Sequence, residues 1–265
     1  MTNEWRGKWA LVTGASAGIG QALARELASG GANLILTARR LERLEEFAAE
    51  LRAKFSVLTE VFDADLTQAD APAKIFAFTQ KRGLAVQLLV NNAGFGQFGE
   101  VPSVEPQRLL DMVQVNCGAV VNLTRLYLPE MIARRSGDVL ILASTASFQA
   151  VPYISVYAAT KAFDLLFAEG LAEEMRPHGI RVCALCPGAT ESEFHQVASQ
   201  EHLKFSQRKN RETAEKVARV GLAALAAGKS SVISGAANTF GVLSQRFVPR
   251  SMVTRITAGM FRPKD

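Results

Sequence analysis

Short, nearly uninterrupted apolar runs recur along the chain, and between them apolar residues return every three to four positions. The runs are WALVT (9–13), ANLILTA (32–38), FSVLTEVFDA (55–64), VQLLVNN (86–92), DVLILAS (138–144), IRVCALCP (180–187) and SSVISG (230–235). Unbroken stretches such as LLV and VLIL suit strands buried on both faces of a parallel sheet. Between runs, GIGQALARELASGG reads as a helix ending at Gly30-Gly31, and LERLEEFAAELRA sets Leu41, Leu44, Phe47, Ala48 and Leu51 on one helical stripe. This alternation predicts an α/β fold, a doubly wound parallel sheet of about seven strands with helices on both faces. No repeat or low-complexity linker interrupts the series, so residues 1–265 are expected to form a single domain. The ligand site of such a sheet lies at the carboxyl ends of its strands, where the strand order reverses.

Composition narrows the class. Hydrophobic residues make up 48% of the 265 residues, enough for a sizeable core. No run approaches the roughly 18 uncharged apolar residues of a membrane span, and MTNEWRGKWALVTG lacks the segment order of a signal peptide. Three cysteines argue against a disulfide framework. Cys183 and Cys186 form a CxxC, but residues three apart on a strand point to opposite faces, so they read as buried strand thiols with no metal site. A reducing, cytoplasmic setting is expected. The net charge of +5 is mild over this length, and no nucleic-acid partner is expected.

Directly after the first run comes TGASAGIG, with Gly14, Gly18 and Gly20 leading into a helix. Alone this could be a turn; between a strand and a helix it reads as a dinucleotide loop. Glycines there let backbone N–H groups approach a pyrophosphate at a helix N-terminus. In NAD-binding Rossmann units the second strand often ends near an acid that binds the ribose 2′-OH. Here Ala38 is followed by Arg39 and Arg40. A guanidinium suits a 2′-phosphate, so NADP(H) is expected over NAD(H), with Arg39 as the principal clamp.

In order along the chain stand TGASAGIG, DADL, NNAG, QVNC, ILAST, YAATK and PGAT. Over nearly its whole length the chain resembles the short-chain dehydrogenase/reductase family in its compact, one-domain Rossmann branch. The resemblance implies an NADP(H)-dependent oxidoreductase interconverting a carbonyl and an alcohol by hydride transfer. It implies that Gly14, Ser16, Gly18, Ile19 and Gly20 hold the pyrophosphate, that Asp65 and Leu66 border the adenine, and that Asn92, Ala93 and Gly94 line the adenosine ribose. Asn91 would stabilise its strand end, and Pro187, Gly188 and Thr190 would hold the nicotinamide. Asn116, Ser144, Tyr157 and Lys161 match the family's catalytic tetrad, with Tyr157 and Lys161 also touching cofactor. One departure concerns Ala17, where many NADP-preferring relatives carry a base, so the preference rests on Arg39 and Arg40. The family also implies a homodimer or homotetramer, through helices starting near Glu105 and Ser155.

The chemistry follows from the residue types. Hydride transfer to a carbonyl leaves negative charge on oxygen, which needs a proton and hydrogen-bond donors. Tyrosine ionises near pH 10, and a cation about 4 Å away favours its phenolate by up to roughly 4 kcal/mol at an effective dielectric of 20, against the opposing effect of burial. Pro152 disfavours helix before it, and Ser155 is an expected N-cap that puts Tyr157 in the first turn and Lys161 one turn on. Phe95, Phe98, Phe148, Val151, Tyr153 and Phe194 either line an apolar substrate pocket or belong to the core. Residues 191–211, polar and weakly periodic, are expected to form a lid. The segment 240–265 holds five cations and one anion and reads as a basic extension, a helix pair broken at Pro249. It would rest on the protein's own flank, on a partner subunit or on a membrane surface. Two rival functions are a non-catalytic NADP-binding sensor and a cofactor-assisted isomerase.

Overall fold

The computed structural model describes residues 3–190 and 211–262. Its strands are Trp9–Thr13 (β1), Asn33–Ala38 (β2), Thr59–Asp63 (β3), Val86–Asn91 (β4), Gly137–Leu142 (β5), Ile180–Cys186 (β6) and Ser231–Ile233 (β7). They form one parallel sheet in the order β3-β2-β1-β4-β5-β6-β7. Parallel neighbours need long crossovers. Helices Gly18–Ser29 (α1), Leu41–Phe55 (α2), Ala71–Lys81 (α3), Pro106–Val113 (α4), Ala119–Ala133 (α5), Ser155–Met175 (α6) and Ala214–Ala226 (α7) lie along them. A π turn, Gln114–Gly118, joins α4 to α5.

The period-two alternation of each strand divides the core into two layers. Val12, Leu34 and Leu36 pack with Leu23 of α1, Leu44 of α2 and Val217 of α7. Their neighbours Leu11 and Ile35 face the other way, onto Ile75 of α3, Tyr127 of α5 and Leu165 of α6. Cys183 belongs to the first layer and Cys186 to the second, so the CxxC straddles the sheet. Both are free and fully buried, and burial pushes each thiol up to about 12.

One expected strand is shorter than its apolar run. Residues up to Phe55 extend α2, which ends at Ser56 in the left-handed region (φ 55°), and β3 begins only at Thr59. The C-terminal segment forms the expected helix pair, Ala236–Ser244 (α8) and Arg250–Phe261 (α9), with Pro249 as the N-cap of α9. Thr257 of α9 is buried, and its hydroxyl donates to the Ala150 carbonyl at 3.0 Å. One side of α9 therefore rests on the protein's own flank, while Phe240 and Phe247 of the same segment stand 75% and 89% exposed. The expected lid, apart from Arg211, and Phe194 lie outside the described residues.

Because Cys183 and Cys186 sit in separate core layers, a thiol reagent should leave both unmodified in the native protein and label all three cysteines after denaturation. Ready formation of a Cys183–Cys186 disulfide in the native chain would contradict this packing.

Candidate functional site

The strand order reverses between β1 and β4, and the carboxyl ends of the strands there open onto a cavity of about 530 Å³. Gly14, Ser16, Gly18, Ile19 and Gly20 line one end of it. Gly14 (φ 66°) and Gly18 (φ 56°) occupy the left-handed region that glycine adopts without strain. A Cβ on Gly20 would collide with the Asn92 amide and the Gly14 carbonyl. The Asn92 amide donates to the carbonyls of Thr13 (2.7 Å) and Gly14 (3.3 Å), and the Thr13 hydroxyl accepts from the N–H groups of Asn92 (2.9 Å) and Ala93 (3.0 Å). The end of β4 thus pins the loop after β1. No side chain caps α1 and its first turn holds no acid, so its N–H groups remain available to an anion.

Arg39 and Arg40 line the cavity beside Asp65 and Leu66 and are exposed. A guanidinium nitrogen of Arg40 donates to the Ser16 hydroxyl at 3.2 Å, which ties the second strand's exit to the glycine loop. The Asp65 carboxylate accepts from the Thr67 N–H at 3.1 Å. Sequence reasoning missed Arg108 of α4. Its guanidinium lies 4.1 Å above the Phe95 ring, and burial, followed by the charge of Arg39, lowers its pKa.

At the opposite end stand Ser144, Tyr157 and Lys161, together with Pro187, Gly188 and Thr190. Ser144 follows β5 and caps the short turn Thr145–Phe148, its hydroxyl accepting from the Ala146 N–H at 3.1 Å. The same side chain lies near the Tyr157 phenol and favours its ionised form. The Thr145 N–H donates to the Pro187 carbonyl at 2.9 Å, so the exits of β5 and β6 are held together. Tyr157 lies in the first turn of α6, as expected, but the N-cap is Ile154 and not Ser155. The Ser155 hydroxyl instead points back to the Val151 carbonyl at 3.5 Å. Pro152 and a left-handed Tyr153 (φ 67°) turn the chain just before the helix.

Lys161 is only 4% exposed. Its ammonium donates to the Leu142 carbonyl (2.6 Å) and to the Asp164 carboxylate (2.9 Å), and lies 6.0 Å from the centre of the Tyr157 ring. Burial alone would lower its pKa; Asp164 and Tyr157 more than offset this and hold it above the usual lysine value. Burial raises the Tyr157 phenol, with Lys161 and Ser144 pulling it down and Asp164 pushing it up, and the net direction is upward. Asp164 was not singled out from the sequence, where an acid three residues after a lysine reads as an ordinary surface pair.

Asn116 does not line the cavity. The π turn carries it fully buried behind Phe95, where its amide accepts from the Phe95 N–H (3.1 Å) and donates to the Phe95 carbonyl (3.0 Å) and the Thr160 hydroxyl (2.9 Å). A Cβ on Gly94 would stand 3.1 Å from the Asn116 carbonyl oxygen and 3.4 Å from the Lys161 nitrogen. Asn91 is likewise structural, its amide donating to the Thr124 hydroxyl at 3.0 Å.

Of the apolar candidates, Phe95 lines the cavity. Phe148 packs into the second core layer, while Val151 and Phe98 join a small cluster with Ile154, Ala158 and Phe261. Tyr153 sits beside Phe98 with ring centres 6.2 Å apart. Further apolar wall comes from Val115, Leu142 and Ile154 and from Met260 and Phe261 of α9. Those last two belong to the basic extension, whose role in the cavity depends on a long-range docking that local pattern does not encode.

The short chain dehydrogenase family model matches residues 8–203. The chain is 36% identical over 188 residues to the very-long-chain 3-oxoacyl-CoA reductase of Bos taurus, covering 69% of this chain and 59% of that protein. Among solved structures it is similar to a short-chain dehydrogenase from Sphingobium yanoikuyae in complex with NADPH, at TM-score 0.81 and 26% identity over 97% of this chain and 98% of that one. It is also similar to a structure from work on 7β-hydroxysteroid dehydrogenase stereoselectivity, at TM-score 0.87 and 26% identity, with the same coverage. The uncapped helix N-terminus, the paired arginines and the Tyr157–Lys161 pair sit along one cavity, an arrangement that fits a nicotinamide dinucleotide laid across the switch point.

Removing the Asn116 amide strips bonds from the Phe95 backbone and from Thr160. Asn116→Ala should therefore destabilise the protein by about 3 kcal/mol, read from denaturant unfolding. Wild-type stability in that variant would contradict the bridging role.

Proposed function

The chain belongs to the short-chain dehydrogenase family, and we propose that it is an NADP(H)-dependent oxidoreductase interconverting an apolar carbonyl compound and its alcohol. The observation that carries this reading is the convergence of Ser144, Tyr157 and buried Lys161 at one end of a cavity whose other end is a glycine-lined helix N-terminus.

When bound, the nicotinamide supplies or takes up the hydride. The chain does the rest. The Ser144 hydroxyl and the Tyr157 phenol, which line the same cavity, converge on a carbonyl oxygen placed between them. Tyr157 gives its proton to that oxygen during reduction and takes it back during oxidation. Lys161 stands close enough to steady the phenolate left behind, and Leu142 and Asp164 fix its ammonium for that task. Asn116 acts at one remove: by clamping Phe95 to Thr160 it holds the β4 exit against α6.

Arg39 and Arg40 support a 2′-phosphate at the adenosine end. The wall of Phe95, Ile154, Met260 and Phe261 supports an apolar substrate. The bovine relative's name points to 3-oxoacyl thioesters as one member of that class. Exposed Leu110 and Val113 on α4, and Phe163 and Leu166 on α6, support homo-oligomer formation through these two helices.

The direct test is a carbonyl panel with NADPH that includes a long-chain 3-oxoacyl thioester and a bulky cyclic ketone. Consumption of NADPH with one or more apolar ketones is expected, and none across the panel would overturn the proposal. Tyr157→Phe should lower turnover by at least about a hundredfold while leaving NADPH fluorescence binding intact. Replacing Arg39 and Arg40 together with Ala should weaken NADPH about 10- to 100-fold, the equivalent of about 1.5–3 kcal/mol for bonds to a charged group, and NADH far less. Equal losses for the two cofactors would remove the basis of the preference. Leu166→Asp should shift the mass seen by light scattering toward the monomer.

A further inference from the structure

We propose that the outer face of α9, with the chain that leads into it, docks on an anionic lipid bilayer and turns the cavity's α9 wall toward the membrane. Docking stands apart from the reaction; delivery of an apolar substrate from the lipid rests on the function proposed above.

α9 has two distinct sides. Val253, Thr257 and Phe261 recur at helical spacing on the inner one. Thr257 is buried there against the Ala150 carbonyl, and Phe261 packs with Val151 and Ile154. Met252, Ile256 and Met260 share the outer side, and each is more than half exposed. Just upstream, Phe240, Leu243 and Phe247 follow at i, i+3 and i+7 along α8 and the 3-10 turn Gln245–Phe247 that extends it, and all three are exposed. A single exposed apolar side chain needs no explanation, but a run of them at helical spacing does.

Charge identifies what covers this face. Residues 236–262 hold four arginines and no acid. Arg246, Arg250 and Arg255 are exposed, and none of them forms an ion pair among the described residues. Arg255 borders the outer face, one helical step on from Met252. A second copy meeting this face through the same face would set arginine against arginine, with no acid in the segment to answer them. Apolar side chains edged by arginine instead match the boundary between the headgroups and acyl chains of an anionic bilayer. No helix among the described residues is long and apolar enough to cross a membrane, so their contact is confined to that boundary.

Met260 links the docking face to the cavity. It is exposed on the outer side of α9 and also lines the cavity, as its neighbour Phe261 does from the inner side. The apolar wall of the cavity is therefore continuous with the face that meets the lipid. On a docked chain, an apolar substrate entering beside Met260 passes from acyl chains to apolar side chains with little exposure to water.

Co-sedimentation of the full chain with vesicles tests this without any substrate. Binding is expected to vesicles of phosphatidylglycerol and phosphatidylcholine in equal parts, with little to phosphatidylcholine alone and release as salt is raised. Replacing Arg246, Arg250 and Arg255 together with Gln should weaken partition onto the anionic vesicles about 100-fold, and Phe247→Ser at least about tenfold. Phe247→Trp should gain quenching by brominated lipid in those vesicles. Trp5 and Trp9, near the amino ends of the strands and so at the other end of the sheet from the cavity, should not be quenched. No sedimentation of the wild type with anionic vesicles would overturn the proposal, a result that needs no variant. So would equal binding to both kinds of vesicle, or binding that survives both sets of substitutions. An oligomer that Phe247→Ser dissociates, with vesicles left unbound, would assign the face to a second copy and overturn it too. A chain that reduces no carbonyl can still sediment, and one that ignores vesicles can still consume NADPH with a ketone in solution, so the two proposals fail separately.

Discussion

Burying an ammonium group obliges a fold to surround it with acceptors, and much of this cleft can be understood as the answer to that demand at Lys161. The Leu142 carbonyl at the end of β5 and the Asp164 carboxylate on α6 take its protons on the inner side. Lys161 itself is tied at its backbone, since its carbonyl accepts from the Ser147 hydroxyl at 2.6 Å. The turn after β5 is therefore bound to α6 at two levels. Ser144 heads that turn and Tyr157 heads that helix, so the constraint on the lysine also sets the distance between them. Asn116 closes the third side by clamping the β4 exit against Thr160, one residue before the lysine.

The far end of the cavity obeys a different constraint. Phosphate binding at a helix N-terminus needs unobstructed N–H groups and a loop that lies flat. Glycine answers the second need at Gly14, Gly18 and Gly20, and the Asn92 amide answers the first indirectly by holding the loop to β4. Positive charge collects here through Arg39 and Arg40. At the Tyr157 end the cation is paired and sunk in the protein. One end of the cleft thus presents exposed cations, and the other buries and pairs its cation.

Much of this was legible in the chain. The strand runs predicted all seven strands, because buried parallel strands are written as continuous apolar segments, and the glycine loop and the Tyr157–Lys161 spacing are local features. Errors came where local pattern competes with tertiary context. Phe55 reads equally well as strand or helix, and packing decides for helix. Ser155 has a capping side chain, yet the helix begins one residue earlier than such a cap allows. Asp164 and Arg108 look like surface charges because a sequence carries no record of burial. Met260 and Phe261 reach the cavity only because Thr257 docks α9 beside Ala150.

The account stands or falls on hydride passing directly between nicotinamide and a carbonyl carbon beside Tyr157. Mass spectrometry of the product formed from an apolar ketone and NADPH deuterated at the transferring carbon tests this most directly. One deuterium on the new carbinol carbon with the wild-type protein, and loss of that product with Tyr157→Phe, is the predicted result. Tight NADPH binding without deuterium transfer, or unchanged transfer by the Tyr157→Phe protein, would contradict it.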